Sequence, residues 1–298
     1  MTAVPSEQRP GQPVPPGPAA PADFRHDAGF VWPQRVPWSQ LEPDFTAAWG
    51  RADPADPQPE HMEIAGQNGS GKTYLLCSAL QARMIRRETP AVIVCTKKAD
   101  RVFSLLGWPV VDRPQDLNKN PNALYWPRTS AVGTERDAFN DRKVRELLSA
   151  LWVEDSNRIV AFDEIGYVES LSGESRALVQ QYWREGRSIG ITVVAMKQRP
   201  QGAQRDMHSE SYWTAAFKPK DRGDLERWAE LYGAPRDWMP VFDSLTAHGD
   251  RGEQREFIIR HSRSNEAYIS WIDTPLRPVK PPKPKAAWMP GRRAQPPT

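Results

Sequence analysis

Residues Gly66-Gln67-Asn68-Gly69-Ser70-Gly71-Lys72-Thr73 set glycines ahead of a lysine and a hydroxyl. Such a string can wrap an anion. Gly66, Gly69 and Gly71 let successive backbone N–H groups turn toward one point, and the start of a following helix adds the positive end of its dipole. Lys72 would reach the β- and γ-phosphates of a nucleotide, and the Thr73 hydroxyl would bind Mg2+. The string fills the pattern G-x-x-x-x-G-K-[ST], a complete Walker A loop. The nucleotide contacts expected from it run from Gly66 through Gln67, Asn68, Gly69, Ser70, Gly71, Lys72 and Thr73 to Tyr74.

A second constellation ends the apolar run Ile159-Val160-Ala161-Phe162 with Asp163-Glu164. A buried strand there delivers Asp163 beside the phosphate loop, as a Walker B strand does, to hold Mg2+ directly or through water. Glu164 would orient and deprotonate an attacking water. Asp163-Glu164-Ile165-Gly166 also spells D-x-x-G, the γ-phosphate sensor of GTPases. A GTPase needs an Asn/Thr-Lys-x-Asp guanine clamp after it. The nearest string, Thr96-Lys97-Lys98-Ala99-Asp100, is one residue too long and lies before it. ATP is therefore the expected nucleotide. The third group is Gln198, at the end of the apolar run Gly190–Met196. It is placed either to sense the γ-phosphate or lytic water, or to close a strand as an ordinary polar residue.

These groups need a scaffold that ends several strands on one edge. Apolar segments at His61–Ala65, Ala91–Thr96, Ala123–Trp126, Arg158–Asp163 and Gly190–Met196 read as strands. They alternate with helical patterns at Thr73–Glu88, Glu135–Glu154 and Glu174–Arg187. That alternation predicts a P-loop NTPase domain of RecA-like α/β type, a parallel sheet sandwiched by helices, over residues 60–274. Shorter strands at Tyr212–Phe217, Glu256–Arg260 and Ala267–Ile272, and a helix at Arg222–Tyr232, extend or edge the same sheet. Residues 23–59 read as an arm that lays Trp32, Trp38, Phe45 and Trp49 on the main domain. Residues 1–22 and 275–298 are dominated by Pro, Ala, Gly and Gln, and read as disordered tails.

The stretch Gly186-Arg187-Ser188-Ile189-Gly190-Ile191, with Gln198-Arg199-Pro200, resembles the FtsK/HerA group of ring-forming, DNA-pumping ATPases. The resemblance covers about residues 60–220. Lys197 stands where that group usually has Thr. The resemblance implies an ATPase with Mg2+, a homo-oligomeric ring of six subunits in the group's usual form, and double-stranded DNA as a partner without sequence reading. It also implies Gln198 as a sensor and Arg187, or Arg184, as a finger on the neighbouring subunit's ATP. An Arg that satisfies a helix C-terminus is the plainer alternative for either residue.

Composition bounds what else the chain could be. Its formal charge is +3 over 298 residues, with 30 Pro, 12 Trp and 2 Cys. Cys77 and Cys95 are too few and too far apart for a zinc site and read as buried free thiols. No apolar stretch approaches the ~20 residues that cross a bilayer, so a cytoplasmic protein is expected. Arg277, Lys280, Lys283, Lys285, Arg292 and Arg293 make the last segment basic, a linker, a protein-docking peptide or a phosphate contact. Arg113–Asn122 and Gly166–Gly173 read first as solvated surface loops and second as DNA contacts; Lys97, Lys98 and Arg101 read equally as phosphate contacts or plain surface. The leading expectation is an ATP-driven DNA translocase of phage or plasmid type, genome packaging included. The alternatives are an ATPase acting on protein cargo in virion or secretion assembly, and a nucleotide-dependent switch or adaptor.

Overall fold

The computed structural model describes residues 30–49, 59–87, 89–97, 100–199, 205–247 and 255–276. The N-terminal tail, Lys98, Pro200 and the C-terminal tail beyond Leu276 lie outside the described residues.

In chain order the first elements are β1 Gln34–Arg35, α1 Trp38–Trp49, β2 His61–Ala65, α2 Lys72–Arg87, β3 Ala91–Val94 and α3 Arg101–Ser104. Next come β4 Val110–Val111, β5 Ala123–Tyr125, α4 Gly133–Leu151, β6 Arg158–Phe162, α5 Ile165–Leu171 and α6 Gly173–Glu185. The remainder are β7 Ile191–Lys197, α7 Arg205–Glu210, β8 Ser211–Phe217, α8 Arg222–Tyr232, α9 Pro235–Asp243, β9 Glu256–His261 and β10 Ala267–Trp271. Short 3-10 turns occupy Pro114–Asn118 and Gly186–Ile189.

One sheet holds all these strands in the order β1-β10-β9-β8-β2-β7-β6-β3-β5-β4. From β8 to β4 every neighbouring pair is parallel. β9 runs antiparallel between β8 and β10, and β1 joins β10 in parallel. The late strands thus extend the parallel sheet, as their sequence pattern predicts.

Both faces are covered, so the strands read as continuous apolar runs. On one face Met62, Ile64, Ile93, Ile159, Val194 and Met196 meet the helices α1 and α2. On the other, Val92, Val94, Val160, Phe162, Val193 and Ala195 meet α4, α5 and α6. Beside that second core, α8 and α9 pack on Ala65, Ala216, Ile258 and Ile269. In α8 the side chains of Leu225, Trp228, Ala229 and Tyr232 recur at helical spacing and are all buried, and Asp221 caps the helix by accepting from Asp224 N at 2.8 Å.

Three segments differ from their sequence reading. The arm contains the helix α1, although Pro43 lies inside it, and Trp38, Leu41, Phe45 and Trp49 are buried in the core it shares with α2. Trp38 Nε1 donates to Ser78 Oγ at 2.8 Å, and Arg83 Nη1 donates to the Trp49 carbonyl at 2.8 Å beneath its ring. Each such burial contributes roughly 2–3 kcal/mol. Gly166–Gly173, read as a surface loop with DNA contact as the alternative, is mostly the helix α5, with Val168 and Glu169 buried against its neighbours. Arg113–Asn122, the other loop candidate, is packed down by Pro114, Leu117 and Asn122, whose Oδ1 accepts from Ala91 N at 2.9 Å.

Candidate active site

The parallel strands β2, β7, β6 and β3 all point their carboxyl ends to one edge, and the candidate groups gather there. β7 lies between β2 and β6. Its last residues therefore stand between the phosphate loop and Asp163-Glu164.

The loop leaves β2 with Gly66 N donating to the Lys197 carbonyl at 3.1 Å, which continues the parallel ladder by one step. A Cβ on Gly66 would come within 2.8 Å of both Phe217 Cβ and Ser70 Oγ, so only glycine fits between β8 and the loop. Gly71 has φ +108, a conformation that side chains avoid. The loop closes when Ser70 N donates to the Gln67 carbonyl at 3.1 Å, and Asn68 and Gly69 stay exposed at its tip. Ser70 Oγ is buried without a hydrogen-bond partner, an open hydroxyl inside the cradle.

Lys72 folds back over this loop. Its Nζ donates to the Gly66 carbonyl, and to that of Gln67 at 2.8 Å. Burial pushes the ammonium down to about 8, with the Glu164 carboxylate working against the shift and Lys97 adding to it. An ammonium held only by carbonyls of its own loop can exchange them for phosphate oxygens. Thr73 follows, half-buried, at the start of α2. Tyr74 turns elsewhere: its hydroxyl donates to the Thr274 carbonyl at 3.1 Å and accepts from Leu276 N at 2.6 Å. The ring thus anchors the segment after β10.

Asp163 is 1% exposed. Its carboxylate accepts from Thr96 N at 3.0 Å, from Thr96 Oγ1 at 2.6 Å and from Lys97 N at 3.4 Å. Burial raises its pKa, and the bonds from Thr96 oppose the rise. Asp163 and the Thr73 hydroxyl are hard oxygen donors of the kind Mg2+ takes. With both Asp163 oxygens already accepting from Thr96, contact through water fits this carboxylate better than direct ligation. Next to it Glu164 is half-buried, and its Oε2 accepts from Gln198 Nε2 at 2.7 Å. Burial raises Glu164 as well, against the Gln198 bond and the Lys72 charge. A carboxylate with a raised pKa, one hydrogen bond and an open oxygen is suited to take a proton.

Arg187 lies elsewhere. It precedes β7, so the length of that strand, roughly 20 Å, separates it from Gln198. Its Nε donates to the Pro59 carbonyl at 2.8 Å and its Nη1 to the Tyr212 hydroxyl at 2.7 Å, with the guanidinium 4.4 Å from the Tyr212 ring centroid. Arg184 is exposed on the last turn of α6. Neither reaches the phosphate loop of its own chain.

Among solved structures, the genome packaging NTPase B204 of Sulfolobus turreted icosahedral virus 2, in complex with sulfate, superposes with a TM-score of 0.51 at 14% identity, over 74% of this chain and 97% of that one. The fold is that of a P-loop NTPase. Two further structures score lower and add no weight. The pCW3 conjugation coupling protein TcpA, in monomer form with ATPγS, gives 0.46 at 14% identity, over 72% of this chain and 61% of that one. The cytoplasmic domain of the Thermomonospora curvata type VII secretion ATPase EccC gives 0.47 at 13% identity, over 82% and 29%. No protein-family profile and no curated protein sequence matches the chain. Among the described residues, no helix is long and apolar enough to cross a membrane.

Within this P-loop NTPase fold one group of polar residues escaped the sequence reading. Glu63, in the middle of β2, forms a buried ion pair with Lys197 at the end of β7. His208 sets Nδ1 3.1 Å from Glu63 Oε2 and Nε2 3.1 Å from the Leu231 carbonyl, and the Lys197 ammonium lies 4.7 Å from the Trp228 ring centroid. Burial alone would raise the Glu63 carboxyl; the Lys197 charge and His208 outweigh it and hold the group below its usual range. The pair ties the strand that feeds the phosphate loop to the strand that delivers Gln198. A charged residue inside each of two otherwise apolar strands was the available signal.

Proposed function

We propose that the protein hydrolyses ATP and couples the reaction to movement along double-stranded DNA, as a hexameric ring of the phage or plasmid packaging type. The observation that carries this reading is the 2.7 Å hydrogen bond from Gln198 Nε2 to Glu164 Oε2, at the ends of adjacent strands and one strand away from the Lys72 loop. A kinase would direct its carboxylate at a substrate hydroxyl. Here the carboxylate is paired with an amide that can orient it toward water.

Loop amides, the Ser70 hydroxyl and Lys72 receive the phosphates of ATP. Glu164 takes a proton from water as its oxygen attacks the γ-phosphorus; the bond to the β–γ bridging oxygen breaks, giving ADP and phosphate. Gln198 holds Glu164 in the orientation that this transfer needs. Mg2+, held by Thr73 and through water by Asp163, would neutralise charge on the β- and γ-phosphates. Arg187, remote from its own loop, serves the ATP of a neighbouring subunit, leaving part of its contact with Pro59 and Tyr212. The fold shared with a genome packaging NTPase supports nucleic acid as cargo.

The test is phosphate release by the full chain with and without DNA. Turnover should rise several-fold with long duplex and not with single strands. Turnover indifferent to any nucleic acid would overturn the DNA assignment and leave a protein-directed ATPase.

A further inference from the structure

The carboxyl edge continues past Asp163. Beyond it, the ends of β3 and β5 and the segments leading into α3 and α4 enclose a cleft of about 850 Å3. Lys97, Arg101, Arg128 and Arg136 line it against a single carboxylate, Asp100. So dense a set of cations in one concavity focuses positive potential and favours an anion that can meet several of them at once.

The contacts inside the cleft divide these cations into fixed and available ones. Arg136 Nη2 donates to the Thr96 carbonyl at 3.0 Å, and Lys97 Nζ lies 3.6 Å from Asp100 Oδ2. Arg128 only rests beside the Trp126 ring, 5.4 Å from its centroid. Arg101 and Arg128 are both exposed, and neither forms an ion pair among the described residues. Hydroxyls of Ser104, Thr129 and Ser130 share the wall. Trp126 is the aromatic residue of the lining, and it is buried, with Nε1 donating to the Lys97 carbonyl at 2.6 Å. The cleft therefore offers guanidiniums and hydroxyls without an open ring face for a base, the chemistry of a backbone contact.

Its floor is shared with the hydrolytic site. The backbone N–H groups of Thr96 and Lys97 hold the Asp163 carboxylate, while the Thr96 carbonyl and the Lys97 side chain belong to the cleft. A ligand that draws on Lys97 thus pulls on the segment that positions Asp163.

We propose that this cleft seats one phosphodiester backbone of duplex DNA, an inference that rests on the motor reading and names where the cargo touches the chain. Arg101 and Arg128 supply its phosphate contacts. Asp100 limits the affinity, and Thr96–Lys97 joins the cargo to the nucleotide side.

The test is equilibrium binding of a labelled duplex to the full chain across a salt series, for wild type and for Arg101→Gln/Arg128→Gln. Losing two phosphate contacts should reduce the slope of log K against log salt by about 1.8 and weaken binding about 10–100-fold at moderate salt. Arg101→Lys/Arg128→Lys should keep the slope, because each ammonium still binds phosphate. Asp100→Asn guards against a folding defect: Asn caps α3 as well as Asp does, and the variant should bind duplex several-fold more tightly. Unchanged slope and affinity in the Gln variant, or no tightening in Asp100→Asn, would overturn the cleft. A Gln variant that loses its oligomeric state yet binds duplex normally would assign the cleft to a subunit contact and also overturn it. Absence of any salt-dependent duplex binding by the wild type would remove the motor reading and the cleft together; wild-type binding that the variants do not alter removes the cleft alone.

Discussion

The two edges of the sheet hold their key polar residues in different ways. At the amino edge His61, Trp213 and Arg158 are tied to fixed partners. His61 accepts from Val193 N at 3.0 Å through Nδ1 and meets the Trp183 carbonyl at 3.1 Å through Nε2, and burial pushes its pKa down to about 3. Trp213 Nε1 donates to Glu60 Oε2 at 2.7 Å, and Arg158 Nη1 to the Pro121 carbonyl at 3.1 Å. At the carboxyl edge the Ser70 hydroxyl has no partner, Lys72 holds only carbonyls of its own loop, and Glu164 accepts one bond from an exposed amide. Such pairing fixes a scaffold, since a buried group that lost its partner would cost about 1–3 kcal/mol. Unfinished pairing leaves donors and acceptors for a phosphate. The parallel arrangement puts both kinds of edge on the same strands, so rigidity at one end positions reactivity at the other.

Arg187 is where this comparison can break. It sits on the amino edge, bonded to Pro59 and Tyr212, yet is assigned work on a neighbouring subunit. Arg187→Ala should lower turnover by about 10³–10⁵, the range of an arginine finger. Mixing these subunits with Glu164→Gln subunits should restore part of the activity, because some interfaces then pair an intact Glu164 with an intact Arg187. No restoration, together with a lowered Tm, would return Arg187 to the scaffold and make the division between the edges complete.

Glu164→Gln sharpens the other side. Turnover should fall by about 10²–10⁴, while nucleotide titration still shows ATP binding. Normal turnover would place the proton acceptor elsewhere.

A smaller effect follows from Lys72, whose pKa is about 8 in the free protein. Phosphates favour the protonated amine, so ATP binding raises this pKa and takes up a proton. Affinity should be full below pH 8 and fall as pH rises above it, by at most about tenfold per pH unit. Lys72→Arg should flatten that dependence. A pH-independent affinity in the wild type would mean that Lys72 is already fully charged without nucleotide.

Much of the reactive edge was legible because each group ends an apolar run. The glycine spacing before Lys72, the run into Asp163-Glu164 and the run into Gln198 are local patterns, and strand ends are where such patterns point. What joined them was not local. Gln198 meets Glu164 because β7 inserts between β2 and β6, a strand order that sequence adjacency does not contain. The ion pair of Lys197 with Glu63 depends on the same insertion, which brings Ala195 beside Glu63. The helix α1 was hidden by Pro43, which lies past the first turn where proline is tolerated; the burial of Trp38, Leu41, Phe45 and Trp49 holds the helix despite it. The helix α5 is only seven residues long, and the burial of Ile165, Val168 and Glu169 is what fixes it as a helix.

The most direct test of a DNA motor is displacement of a triplex-forming strand from a long duplex. With ATP and Mg2+, the wild type should strip the third strand, and Glu164→Gln should leave it in place under the same conditions. Rapid ATP hydrolysis by the wild type with the triplex intact would contradict translocation, and would leave an ATPase whose work is not on DNA.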